Sequence, residues 1–129
     1  MQKTENPVRR SEAKILVVDD RADNLISIEA ILEKDNYTIV KANSGKAALK
    51  VLLNDHDFSL ILMDVQMPVL DGFSCSKAIR KHLPDIPIII VTASPKNEIM
   101  EKIISSGING FVSKPFKPNE LRSKLLEYL

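Results

Sequence analysis

Short apolar runs alternate with stretches of helical period along most of this sequence. Ile15-Leu16-Val17-Val18 is the kind of apolar run that forms a strand buried on both faces. Leu25, Ile28, Ile31 and Leu32 then recur at helical spacing and predict a helix from about Asp23 to Lys34. Tyr37 to Ala42 is β-branched and moderately apolar, a second strand, and Ser44 is suited to cap a helix running to about Leu53. Phe58 to Met63 gives a third strand, followed by a loop marked by Met67-Pro68 and Asp71-Gly72 and a helix from about Phe73 to Lys81. Ile86 to Val91 is a fourth strand, and Asn97 to Ser106 is helical, with Gly107 at the left-handed position that ends it. Phe111-Val112-Ser113 is a short fifth strand. Pro118 fits the first turn of a last helix whose Leu121, Leu125 and Leu129 form one stripe.

Five strands alternating with five helices predict parallel pairing, with helices on both faces of one doubly wound α/β sheet. Ligands of such sheets bind beyond the carboxyl ends of the strands, where the strand order reverses. Asp19 and Asp20 follow the first apolar run, Asp64 the third, Thr92 the fourth and Lys114 the fifth. Only the second strand, expected at an edge, ends without such a residue.

Composition narrows this picture without changing it. The 129 residues suit one domain, with 1–12 reading as a polar leader or linker and 13–129 as the fold. The net charge of +1 gives no broad field for nucleic acid or an anionic membrane surface. Cys75 is the single cysteine, so neither an intramolecular disulfide nor a cysteine metal cluster is available, and a reducing compartment is expected. Apolar runs such as Leu60 to Met63 fall far short of the roughly 20 residues that span a bilayer. No apolar stretch near the start resembles a signal peptide. A soluble, cytoplasmic protein is expected.

Each strand-end residue has a plain reading when taken alone. Asp19 or Asp20 could cap the next helix, and Thr92 or Lys114 could be a turn residue or a solvated charge. Together they place three carboxylates, a hydroxyl and an ammonium on one edge of one sheet. Two carboxylates about 5 Å apart repel by roughly 3 kcal/mol at an effective dielectric near 20, so the group needs a cation. Oxygen-only ligands favour a hard ion, and magnesium suits a small hydrated site beside a phosphate. A carboxylate ionised beside that ion and Lys114 can attack phosphorus, while metal, lysine and hydroxyl share the phosphoryl oxygens.

At this point the segments Ile15–Asp20, Leu60-Ile-Leu-Met-Asp-Val-Gln-Met-Pro68, Asp71-Gly72, Val91-Thr92-Ala93 and Lys114-Pro115-Phe116 resemble the receiver domain of two-component response regulators. The likeness covers nearly the whole chain from 13. It implies a flavodoxin-like sheet of order 2-1-3-4-5, with Asp64 as phosphoacceptor. Asp20 and Asp64 match direct magnesium ligands, Asp19 a ligand acting mainly through water, and the Gln66 backbone carbonyl a further ligand; manganese is expected to substitute. Thr92 matches the switch hydroxyl, Lys114 the phosphate-binding lysine, and Phe111 the aromatic switch position, for which core filling is the plainer reading. Gln66 and Ser94 match positions flanking the attacking water and are expected to tune phosphoryl lifetime. Lys114-Pro115 resembles the family's cis peptide, and Gly72 is expected to supply a positive φ.

The resemblance further implies a histidine kinase or histidine phosphotransfer protein as donor, a downstream output protein or domain, and a possible homodimer on activation. It implies a switch that catalyses its own phosphotransfer and dephosphorylation rather than an enzyme with turnover, with no direct contact to nucleic acid and no membrane insertion. Both a stand-alone regulator and a segment of a longer regulator or hybrid kinase are compatible. Asp20 to Leu25 resembles receivers attached to sensor kinases. Ile99, Met100, Ile103 and Ile104 are more apolar than one buried helix face needs, so core packing and a partner patch are both open.

Three other readings compete. A haloacid-dehalogenase-type phosphatase carries its nucleophile after the first strand in an Asp-x-Asp pattern, but Arg21 occupies the second Asp position. A nucleotide-binding module needs glycine in the first βα turn, which here reads Asp19-Asp20-Arg21-Ala22-Asp23, with negative charge where a pyrophosphate would sit. A pseudo-receiver that works without phosphorylation would not need every matched acid, hydroxyl and lysine, yet all are present.

Overall fold

The computed structural model of the chain describes residues 13–129, so the leader or linker read at 1–12 lies outside the described residues. The chain runs β1 (Lys14–Val18), α1 (Ala22–Glu33), β2 (Thr38–Ala42), α2 (Gly45–Asn54), β3 (Leu60–Asp64), α3 (Gly72–Arg80), β4 (Ile88–Thr92), α4 (Lys96–Ser105), β5 (Gly110–Ser113) and α5 (Pro118–Leu126). The strands form one parallel sheet of order β2-β1-β3-β4-β5, as the resemblance implied. The order reverses between β1 and β3, because the chain leaves β1 toward β2 and then crosses to the other side.

Alternate strand residues feed two separate cores. Ile15, Val17, Leu62, Ile89 and Val91 pack with α1 and α5 through Leu25, Leu32, Leu121 and Leu125. Leu16, Val18, Met63, Ile88 and Ile90 pack with α2, α3 and α4. In α4, Ile99 and Ile103 enter this second core, Met100 packs partly against it and Ile104 is left 73% exposed. Among the described residues, no helix is long and apolar enough to cross a membrane.

Two strands are displaced from their expected bounds. Phe58 and Ile86 are buried but stand outside the ladder, which starts at Leu60 and Ile88. Pro87 has no N–H to donate and offers its carbonyl to Ile61 instead. At their other ends β3 and β4 each run one residue further, so Asp64 and Thr92 close the strands rather than follow them.

The expected helix ends are largely found. Ser44 accepts from the Ala47 N–H at 3.0 Å, and Pro118 opens α5. Gly107 has φ 73°, with the N–H of Gly107 bonded to Ile104 and that of Ile108 to Ile103, a complete Schellman motif. Lys114-Pro115 is cis. The expected positive φ at Gly72 is not found. A Cβ there would collide with the Asp64 carbonyl oxygen, so close approach rather than backbone handedness requires glycine. The left-handed residue of that loop is Val69, at φ 70°.

Candidate functional site

The carboxyl ends of β1, β3, β4 and β5 bring the sequence candidates to one rim. Asp19 follows Val18 directly and is anchored by its own N–H to the Ala42 carbonyl at 3.1 Å. Its carboxylate is held at both oxygens. Oδ1 accepts from the Arg21 N–H at 2.9 Å, and Oδ2 accepts from the Asn24 side chain at 3.2 Å. Asp19 is 2% exposed and Asp64 5%, whereas Asp20 is exposed to solvent. One carboxylate oxygen from each of Asp19, Asp20 and Asp64 lies within 4.8 Å of the others.

Among the described residues, one lysine answers this cluster directly. Lys114 Nζ donates to Asp64 Oδ1 at 2.9 Å, and the Lys114 N–H donates to the Thr92 carbonyl at 2.7 Å, which ties the lysine to the end of β4. Burial pushes the Asp64 carboxyl above the usual carboxylate range; the Lys114 bond pulls it down, and Asp19 and Asp20 push it up again. Without a cation, desolvation and like-charge repulsion therefore win over one ion pair. The site fits a hard divalent ion: its donors are all oxygen, two of its three acids are buried, and one lysine offsets their mutual repulsion only in part. Asp19, Asp20 and Asp64 could hold magnesium.

The other candidates lie around this centre. Thr92 is buried, and its Oγ1 accepts from the Ser94 N–H at 3.0 Å, leaving the hydroxyl proton free to donate. Ser94 is half-buried, and Gln66 is exposed in the loop two residues past Asp64. Phe111 pairs in register with Ile90, two residues before Thr92, on the face covered by α2 to α4. It is half-buried and packs against that core. Beside the acids a cleft of about 460 Å³ opens between α1 and the end of β5, lined by Asn24, Ile28, Ala93, Lys114 and Phe116 among others. Asn24 was missed by sequence reasoning. The available signal was an amide five residues after Asp19, in the first turn of the helix.

The response regulator receiver domain family model matches residues 15–126. A probable transcriptional regulator of Pyropia yezoensis is 36% identical over 124 residues, 95% of this chain and 49% of that protein. The chain thus spans about half the length of the curated relatives it matches. A chemotaxis protein CheY4 of Vibrio cholerae superposes with a TM-score of 0.87 at 31% identity, covering 92% of this chain and 99% of that one. The receiver domain of a sensor histidine kinase from Pseudomonas aeruginosa PAO1, with a magnesium ion coordinated in its active site cleft, gives 0.82 at 33% identity, covering 91% and 97%.

Proposed function

Since this chain belongs to the response regulator receiver domain family of two-component systems, we propose that residues 13–129 form a phosphoacceptor unit that takes a phosphoryl group onto Asp64. The observation that carries the reading is the buried Asp64 carboxylate, 2.9 Å from Lys114 Nζ and clustered with Asp19 and Asp20. The donor is a phosphohistidine on a histidine kinase or phosphotransfer protein, and a cytoplasmic location accords with such a donor.

A carboxylate oxygen of Asp64 attacks phosphorus in line as the P–N bond breaks and the imidazole leaves. Lys114 moves from the Asp64 carboxylate to a phosphoryl oxygen, and the Thr92 hydroxyl donates its free proton to another. Held by Asp19, Asp20, Asp64 and the Gln66 backbone carbonyl, magnesium (or manganese in its place) would neutralise charge on the phosphoryl oxygens. Gln66 and Ser94 flank the path of hydrolytic water and tune the lifetime. When Thr92 is drawn in, Phe111 turns inward and the surface of α4, β5 and α5 changes for an output partner or a second copy. The chain is a self-modifying switch rather than an enzyme with turnover.

Labelling by acetyl phosphate in magnesium tests this. Wild-type protein should be labelled, chelator should abolish the label, and Asp64→Asn should remove it completely. A label that persists on Asp64→Asn assigns the acceptor elsewhere. Wild-type protein that takes no label at saturating magnesium supports the phosphorylation-independent reading instead.

A further inference from the structure

The loop after Asp64 follows a course that its own residues resist. Leu70 donates its N–H to the Pro68 carbonyl at 2.8 Å, and between them Val69 has φ 70°. A bond from residue i+2 back to i across a positive central φ is the rare, strained form of γ-turn. A β-branched residue there is a steric outlier. The Val69 side chain is fully exposed, so no packing within the chain offsets the strain.

What holds Val69 in place is its neighbour. Leu70 lies against Gly45, the first residue of α2; a Cβ on Gly45 would stand 2.9 Å from Leu70 Cδ2 and 3.1 Å from the Leu70 carbonyl oxygen. Leu70 also packs on the core beneath α2 to α4. At the far end the Gly72 N–H donates to the Val65 carbonyl at 2.9 Å. The loop is thus pinned on both sides of the γ-turn. Strained backbone persists only where its surroundings over-determine it, and it gathers at functional sites. This stretch starts at the residue after Asp64.

Resting on the reading of Asp64 as acceptor and the Gln66 carbonyl as metal ligand, we infer that Leu70 and Gly45 are positioning residues. Leu70, wedged against the first turn of α2, keeps the Val69 turn closed and so fixes the backbone around Gln66 for metal binding.

The test separates a wedge from ordinary core packing. Magnesium affinity is read by calorimetry and by amide shifts from Asp64 to Gly72, with acetyl phosphate labelling measured at limiting and saturating magnesium. Leu70→Ala is expected to weaken magnesium binding on the order of tenfold, the scale of losing support for a metal ligand, and to slow labelling mainly at limiting magnesium. Gly45→Ala pushes Leu70 away and acts in the same direction. Val69→Gly alone should stay within about twofold of wild type, as exposed substitutions do. Combined with Leu70→Ala it should restore most of the lost affinity, because glycine takes positive φ without a wedge. Core packing predicts no such rescue. A double variant no better than Leu70→Ala overturns the proposal, as does Leu70→Ala with wild-type affinity. Wild-type protein that neither binds magnesium nor takes label sinks the reading of Asp64 itself, a result seen before any variant is made.

Discussion

Asp64 is buried beside two other acids, and its ionisation works against the fold. Its carboxyl lies above the ordinary range in the folded chain, first through burial and then through Asp19. Between the ordinary and the raised value the folded state holds more protons than the unfolded state, so stability falls as pH rises through that window. The deficit is complete above it. Asp64→Asn removes the charge but leaves Lys114 partly exposed and able to find water, its side chain being 35% accessible. In chelator at neutral pH, Asp64→Asn should therefore melt above wild type, by roughly 1 kcal/mol or a few degrees. The gap should close as pH falls toward about 4. Magnesium should reverse the order, since only wild type gains fully from binding. Equal melting of the two proteins at every pH in chelator would contradict this account. Cys75 is a simpler case. Burial pushes its thiol up to about 11, and Sγ lies 3.6 Å from the Gly45 carbonyl. A thiol reagent at pH 8 should react with it only at the rate at which the fold opens.

At the scale of elements, Arg80 joins the end of α3 to the strands and to α4. Its guanidinium donates to the carbonyls of Gly107, Leu83 and Ile86 and to Asn109 Oδ1, at 2.6 to 3.0 Å. Asn109 Oδ1 also accepts from the Ile88 N–H, and the Asn109 carbonyl accepts from the Tyr128 hydroxyl, so Arg80 and Asn109 together link α3, β4, the α4–β5 turn and Tyr128 just past α5. Arg80→Ala should cost about 2–3 kcal/mol in chemical denaturation, because several carbonyls lose a charged donor at once. Lysine should restore little of it, having no planar fork to span four acceptors. None of this was legible in the sequence, because three of the four partners are backbone carbonyls, which no residue type encodes, and the fourth, Asn109, lies 29 positions away. Ser44 and Gly107 were legible because their own side chain, or lack of one, makes the cap. The same distinction explains Val69. A valine in a strained γ-turn contradicts local preference, and the neighbouring Leu70 meets Gly45 twenty-five positions away in sequence, a contact that local preference does not report.

Over the whole molecule, the period of the apolar runs was enough to place Asp19, Asp64, Thr92 and Lys114 at one rim, because parallel strands with helical crossovers leave no other common edge. What period could not carry was the support around them: Asn24 on Asp19, and the bond from the Lys114 N–H to Thr92. That bond bears on signalling. Thr92 is buried at the end of β4, it holds the backbone that presents Lys114, and it lies diagonally across from Phe111. In the proposed mechanism this hydroxyl meets a phosphoryl oxygen rather than the attacking carboxylate, and through it that oxygen would pull on β4. Thr92→Ala keeps the backbone bond to Lys114, so it should still be labelled by acetyl phosphate within a fewfold of wild type. Its amide shifts around Phe111 and along α4 should, however, stay near their unlabelled positions when beryllofluoride and magnesium are added, whereas those of wild type move. The α4 and α5 face, where Ile104 is 73% and Leu126 42% exposed, would then fail to change its affinity for a partner in the variant alone. If Thr92→Ala transmits the full shift to α4, the pull runs through Lys114 and β5 instead, and the hydroxyl has no part in the switch.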